Sequence, residues 1–133
     1  LLNSAKKALV KIAEHTKNLD ALVFVGVPIA VGGELYNVAA ALNHGNILGF
    51  TTKSFLPNYG EFYEMRQFRP GPKKAEKILF GGKEIPFGPQ LLFVENQMAN
   101  LIVSAEICED VWSPVPPSIE AAREGATVIV NCS

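Results

Sequence analysis

The chain has 133 residues, of which 48% are hydrophobic and 19% are charged. This composition is typical of one folded globular domain or part of one, and it excludes a disordered chain. The 12 basic and 13 acidic residues leave a formal charge of −1 at pH 7. No basic surface is therefore available to neutralise phosphates, as a nucleic-acid-binding protein requires. A small molecule or another protein is the expected partner.

The sequence also argues against a membrane protein and a disulfide-bonded one. No apolar run approaches the roughly 20 residues that span a bilayer, and the first residues place lysines inside an amphipathic pattern instead of ahead of a hydrophobic core. We therefore expect a cytoplasmic protein. Cys108 and Cys132 follow apolar, strand-like runs and have neither CxxC nor Cys/His spacing, so neither a disulfide framework nor a metal site is predicted.

The first third of the chain predicts one helix and three strands. Apolar residues at helical spacing, with lysines between them, predict an amphipathic helix up to about Lys17. The nearly continuous apolar run 21–30 predicts a strand that is covered on both faces. Residues 34–45 and 46–53 predict two more strands, joined by a turn at Asn43-His44-Gly45. Together they predict an antiparallel meander.

The rest of the chain predicts a long loop followed by a return of the sheet. Residues 53–74 contain three prolines and five aromatic residues, and a loop of this kind often carries function. Apolar runs within 78–95 predict short strands. From 101 to 131 the pattern is strand, helix, strand, with a short helix over 118–124 and Ser118 as its N-cap. We therefore predict an α/β fold with a mixed sheet and helices on its outer face.

Two residues are candidates for catalysis. Cys108 follows an apolar strand, where a thiol can project into a pocket and the next backbone N–H groups can hold an oxyanion. Lys53 closes another apolar strand and could supply a positive charge to a thiolate and an oxyanion. The alternative is that Cys108 is a buried structural cysteine and that Lys53 is an ordinary solvated lysine. Catalysis requires the two residues to meet in space.

The residues around both candidates resemble a known family. GFTTKSFLPNYGEFYEMRQF, followed further along the chain by SAEICEDVW, is similar to the lysine and cysteine motifs of the nitrilase superfamily. Within that superfamily, the two motifs most resemble those of the amide-hydrolysing domain of glutamine-dependent NAD synthetases. The resemblance implies an α-β-β-α sandwich, and it identifies residues 1–133 as part of one carbon-nitrogen hydrolase (glutaminase) domain with no second domain in the chain.

The resemblance also implies an activity and its partners. In that family a Glu-Lys-Cys triad hydrolyses the side-chain amide of glutamine through a thioester, and a separate synthetase domain uses the ammonia to amidate adenylated deamido-NAD. The implied partners are glutamine, the synthetase domain and further copies in a homo-oligomer. The hydrolysis is expected to need no cofactor or metal, whereas ATP and magnesium serve only the synthetase domain.

Carried over to this sequence, the resemblance makes Cys108 the nucleophile and Lys53 the cation that supports the tetrahedral intermediates. Glu61 resembles the second, supporting glutamate of the family. Tyr59 corresponds to the loop that lines the substrate pocket, and the N–H of Glu109 to an oxyanion donor. Four further motif residues are expected to serve ion pairing and wall packing: Glu64, Arg66, Asp110 and Trp112.

The general-base glutamate of the triad has no match in the chain. Glu14 belongs to the amphipathic helix and Glu34 to a turn, so neither ends a core strand as that role requires. We expect the base upstream of Leu1 and the chain to be an incomplete fragment, inactive alone and with apolar edges exposed. Cys132 is expected to be structural. The alternative functions are a free-standing nitrilase-type amidase or carbamoylase and a catalytically silent structural domain.

Overall fold

Two β-sheets lie face to face between two helices in the computed structural model, which describes residues 1–133. Neither helix is both long and apolar enough to cross a membrane. In chain order the elements are α1 (Leu2–His15), β1 (Val23–Val31), β2 (Glu34–Asn43), β3 (Asn46–Thr52), β4 (Glu76–Phe80), β5 (Lys83–Gly88), β6 (Phe93–Val94), β7 (Ile102–Glu106), α2 (Pro117–Arg123) and β8 (Val128–Asn131).

The first sheet has the order β1-β2-β3-β5-β4. Strands β1 to β3 form the predicted antiparallel meander, and the turn between β2 and β3 is the predicted one. His44 (φ 44°) and Gly45 (φ 81°) take the left-handed conformations that such a turn requires. Because β3 pairs in parallel with β5, the sheet is mixed, as the sequence predicted.

The second sheet has the order β6-β7-β8. β6 is antiparallel to β7, whereas β7 and β8 are parallel and are connected through α2. This is the predicted strand, helix, strand unit. Its parallel pairing places the carboxyl ends of β7 and β8, and therefore Cys108 and Cys132, at the same end of the sheet.

Strand β2 shows how the four layers are assembled. Side chains alternate between the faces of a strand, so Val38, Ala40 and Leu42 pack with α1 on one face of the first sheet. Ala39 lies on the other face, in a cluster with Ala105 of the second sheet. All of these β2 residues are fully buried. Alanine between the sheets allows the two backbones to approach closely. The order of layers is α1, first sheet, second sheet, α2, which is the predicted α-β-β-α sandwich.

Two local predictions were wrong. β1 is well covered on one face only: Val27 and Ile29 are buried in the core with α1, whereas on the other face Phe24 packs against Phe93 but Gly26 is exposed. An apolar run alone does not reveal how far the three-stranded second sheet extends over β1, the edge strand of the first sheet. Ser118 is not the N-cap, because Pro116 occupies that position and Pro117 begins α2. The N–H of Ser118 instead donates to the buried Glu106 carboxylate at 3.2 Å.

We predict that Gly88 is essential to the junction of β5 with β3. It adopts φ +152°, and a Cβ at this position would lie 2.5 Å from the Ala75 Cα. The substitution Gly88→Ala should lower the free energy of unfolding by about 2 kcal/mol or more, because the backbone must shift. The matched control is Gly26→Ala, which meets no heavy atom within 4 Å and should be neutral or slightly stabilising. Denaturant unfolding of both variants measures the difference, and equal stabilities would contradict the prediction.

Candidate active site

Cys108 lies at a sharp elbow after β7. It begins a short 3₁₀ helix, Cys108–Trp112, and its φ is +47°, in the left-handed region that non-glycine residues rarely adopt. Such strain costs on the order of 1–3 kcal/mol and is retained where the surrounding structure enforces it, often at functional sites. The half-buried side chain packs against the cluster between the two sheets. The strain at Cys108 favours the functional interpretation over that of an ordinary structural cysteine.

Lys53 directly follows β3 and is only 3% exposed. Its Nζ lies 2.5 Å from Glu64 Oε2, and the other oxygen of Glu64 accepts a hydrogen bond of 2.7 Å from the Asn37 side chain. The backbone N–H of Lys53 donates to the Asn37 carbonyl at 3.0 Å. The alternative that Lys53 is an ordinary solvated lysine is therefore wrong. A buried charge of this kind requires a partner, and Glu64 supplies it.

The glutamate that reaches Lys53 is Glu64 and not Glu61. Glu61 is exposed and forms no ion pair, so the supporting contact expected of it is made by Glu64. The physical reason is the 3₁₀ turn Glu64–Arg66, which folds the loop back so that Glu64 faces the end of β3. The signal for Asn37 was present but missed: it is a polar residue inside the otherwise apolar run LYNVAAAL of β2.

Tyr59 and Glu109, both expected at the substrate pocket, contact each other. The Tyr59 hydroxyl donates to the Glu109 carboxylate, with 2.9 Å to each oxygen. This hydrogen bond is the main reason that the pKa of Tyr59 is raised above its ordinary value. Tyr59 therefore stays a hydrogen-bond donor throughout the neutral range. At the surface, the contact connects the loop 54–59 that follows Lys53, here called the lysine loop, with the turn 107–112 around Cys108, here called the cysteine elbow.

An open cavity of about 380 Å³ lies beside this contact. It is lined by the loop 54–59 together with Met65, Pro70, Glu109 and the segment 112–114. Neither Lys53 nor Cys108 is among its lining residues. The cavity is thus a neighbour of the candidate catalytic pair, and Tyr59 and Glu109 stand on its wall.

Asp110 is a buried residue that connects the loop after Lys53 with the elbow at Cys108. It is fully buried, and one carboxylate oxygen accepts from the backbone N–H groups of Ser54 (3.0 Å) and Phe55 (2.8 Å). The other oxygen accepts from the N–H of Ile107 at 3.0 Å. Burial raises the pKa of Asp110, and the three N–H groups and Lys53 oppose that shift.

The four residues expected to serve ion pairing and wall packing behave differently from one another. Glu64 forms the ion pair with Lys53. Arg66 instead stacks over the Tyr63 ring at 4.8 Å, and Asp110 accepts backbone N–H groups without an ion pair. Trp112 lines the cavity and is 79% exposed.

Cys132 follows β8 and is half-buried. Burial raises the pKa of its thiol above the ordinary value of 9.0, so the thiolate that would act as a nucleophile is disfavoured. Its backbone N–H donates to the Glu106 carbonyl at 3.0 Å. These features are those of a packing residue.

We predict that Cys132 reacts slowly with iodoacetamide in the folded protein. Below the pKa, each unit by which the pKa is raised reduces the thiolate fraction about tenfold, so its alkylation at pH 8 should lag behind that of the urea-denatured protein. The rate should increase as the pH is raised. Peptide mass mapping over a time course measures it, and equal rates in the folded and denatured protein would show that Cys132 is freely reactive.

Comparison with known proteins agrees with the motifs, although no protein-family model matches the chain. It is 40% identical over 133 residues to the glutamine-dependent NAD(+) synthetase of Mycobacterium tuberculosis, covering 100% of this chain and 20% of the relative. The crystal structure of a glutamine-dependent NAD(+) synthetase from Cytophaga hutchinsonii superposes with a TM-score of 0.80 at 28% identity, over 98% of this chain and 20% of that one.

The fold is shared more widely. A carbon-nitrogen hydrolase from Helicobacter pylori superposes with a TM-score of 0.65 at 20% identity, over 98% of this chain and 38% of that one. This likeness shows the nitrilase-type fold alone. The chain spans about a fifth of the length of the curated relatives that it matches. The resemblance predicted from the motifs is confirmed: along its whole length the chain is homologous to one segment of the glutamine-dependent NAD(+) synthetases.

Proposed function

We propose that this chain supplies the nucleophile and the catalytic lysine of a glutamine amidohydrolase that releases ammonia for NAD(+) synthesis. The observation that carries the proposal is the burial of Lys53 in an ion pair with Glu64, on a loop that the Asp110 carboxylate connects to the strained elbow of Cys108. An enzyme that attacks an amide needs a thiol and a fixed positive charge in one place. Glutamine as the substrate, and NAD(+) synthesis as the use of the ammonia, are proposed from the names of the relatives.

In the proposed reaction the Cys108 thiolate attacks the side-chain carbonyl carbon of glutamine. The resulting tetrahedral oxyanion collapses to a thioester as the carbon–nitrogen bond breaks, and the nitrogen takes up the proton first removed from the Cys108 thiol and leaves as ammonia. Water then attacks the thioester, releasing glutamate and the free thiol. The Lys53 ammonium stabilises the negative charge of both tetrahedral intermediates. Hydrolysis needs no cofactor in this scheme, and ATP and magnesium belong to the synthetase reaction.

Glu109 has two parts in the proposal. Its backbone N–H is in the first turn of a 3₁₀ helix, where N–H groups lack a helical partner, and it donates to no loop carbonyl. It is therefore available to the oxyanion. Its carboxylate, held by Tyr59, stands where the α-amino group of glutamine could be bound.

The general base is not among the contacts of Cys108. No carboxylate in residues 1–133 forms a hydrogen bond with its thiol, and the glutamates nearest in sequence are engaged elsewhere: Glu106 with Ser118 and Glu109 with Tyr59. We propose that a glutamate outside this segment takes the thiol proton. Residues 1–133 alone would then lack the base and hydrolyse no glutamine.

The test of the nucleophile uses the full-length protein and a diazo-ketone analogue of glutamine. We predict labelling of Cys108 and a loss of ammonia release of about 10³-fold or more in Cys108→Ala, because no thioester can form. Cys132→Ala is the matched control and should keep its activity. Labelling at Cys132, or ammonia release that survives in Cys108→Ala, would contradict the proposal and favour a catalytically silent domain.

A second prediction concerns Tyr59. Replacing it by phenylalanine removes the hydroxyl that holds the Glu109 carboxylate while keeping the ring. We expect the KM for glutamine to rise about tenfold, because one hydrogen bond to a charged group is lost from the pocket wall, with a smaller change in kcat. Phe62→Leu, beside the Tyr59 ring, controls for general loosening of the loop. An unchanged KM in Tyr59→Phe would remove Tyr59 from the substrate site.

A further inference from the structure

Asp110 is a fully buried carboxylate that no positively charged side chain pairs with. All of its hydrogen bonds come from backbone N–H groups, three of them in all. Two of these groups belong to Ser54 and Phe55, which directly follow Lys53 in the chain. The third belongs to Ile107, which directly precedes Cys108. One side chain therefore binds the backbone directly after Lys53 and the backbone directly before Cys108.

We propose that Asp110 is a positioning residue that fixes the separation and orientation of Lys53 relative to Cys108. The inference rests on the proposed function, since it concerns the geometry of that catalytic pair. β3 and β7, which carry the two residues, belong to different sheets. No ladder of backbone hydrogen bonds joins them, and the Asp110 carboxylate makes that connection at the point where the site lies.

The chemistry of the connection requires a carboxylate. One oxygen serves the lysine loop and the other serves the cysteine elbow, and both act as acceptors. An asparagine has one acceptor oxygen, and its amide nitrogen carries two hydrogens that would face an N–H donor on the other side. Asp110→Asn can thus keep either the lysine loop or the cysteine elbow in place, but not both.

Each catalytic residue has a separate support that does not involve Asp110. Lys53 is held by Glu64, which is held by Asn37. Cys108 is held by β7, whose register with β8 is intact up to Glu106. Loss of the Asp110 connection should therefore leave both residues folded and change only their relation to each other. The Tyr59–Glu109 hydrogen bond also joins the two segments and does not involve Asp110, so we expect glutamine binding to persist while catalysis by the misaligned pair slows.

The experiment measures ammonia release and glutamine KM in the full-length protein for Asp110→Asn. We expect kcat to fall about 100-fold, as displacements of about 1 Å can cause, with KM little changed. The matched control is Glu106→Gln, which alters the buried carboxylate at the end of β7. That carboxylate contacts Ser118 and Asn131 and not the lysine loop, so Glu106→Gln should keep most of its rate.

The outcomes separate the inference from the proposed function. Wild-type rates in folded Asp110→Asn, with Cys108→Ala inactive, would overturn the positioning role and leave the glutaminase standing. Ammonia release that survives in Cys108→Ala would show that the proposed function itself has failed. Circular dichroism reports folding of Asp110→Asn and of a second variant, Asp110→Glu, which keeps both acceptors but lengthens the side chain. If both are unfolded while Glu106→Gln is folded, Asp110 serves folding and the inference is overturned.

Discussion

The buried ammonium group of Lys53 is the constraint on which the site depends. A charge that is 3% exposed must be paired, or the cost of removing it from water is not recovered. Glu64 supplies the pair, and it reaches Lys53 only because the 3₁₀ turn Glu64–Arg66 folds the long loop back. Asn37 in turn occupies the second oxygen of Glu64. The conformation of the loop is therefore largely determined by one charge at the end of β3.

The sandwich places the residues that directly follow Lys53 next to the elbow of Cys108. β3 belongs to the first sheet and β7 to the second, and small residues between the sheets, Ala39 and Ala105 among them, allow them to lie close together. The ends of β3 and β7 then meet at one edge of the sandwich. The strained backbone of Cys108 is retained there because Asp110, two residues on, anchors the elbow to the lysine loop.

Sequence patterns predicted the elements better than the contacts among side chains. The helix α1, the meander and the β7-α2-β8 unit follow from local periodicity and turn residues, so they were predicted within a few residues. Lys53 and Cys108 were identified as candidates because each closes an apolar strand within a specific motif. Which of Glu61 and Glu64 reaches Lys53 depends on how a long irregular loop folds, and no periodicity encodes that. The edge position of β1 likewise depends on which strands pair, a long-range property.

The raised pKa of Asp110 helps to explain why a carboxylate lies between the lysine loop and the cysteine elbow. Burial raises its pKa above the ordinary value of 3.8, so the folded protein binds this proton more tightly than the unfolded chain does. The stabilisation that protonated Asp110 contributes is therefore fully present in acid, and it is lost as the pH rises through the raised pKa. Above that pH the ionised group costs stability relative to its protonated form. A carboxylate with such a cost in stability is better explained by the hydrogen bonds with which it joins the two loops than by a contribution to stability.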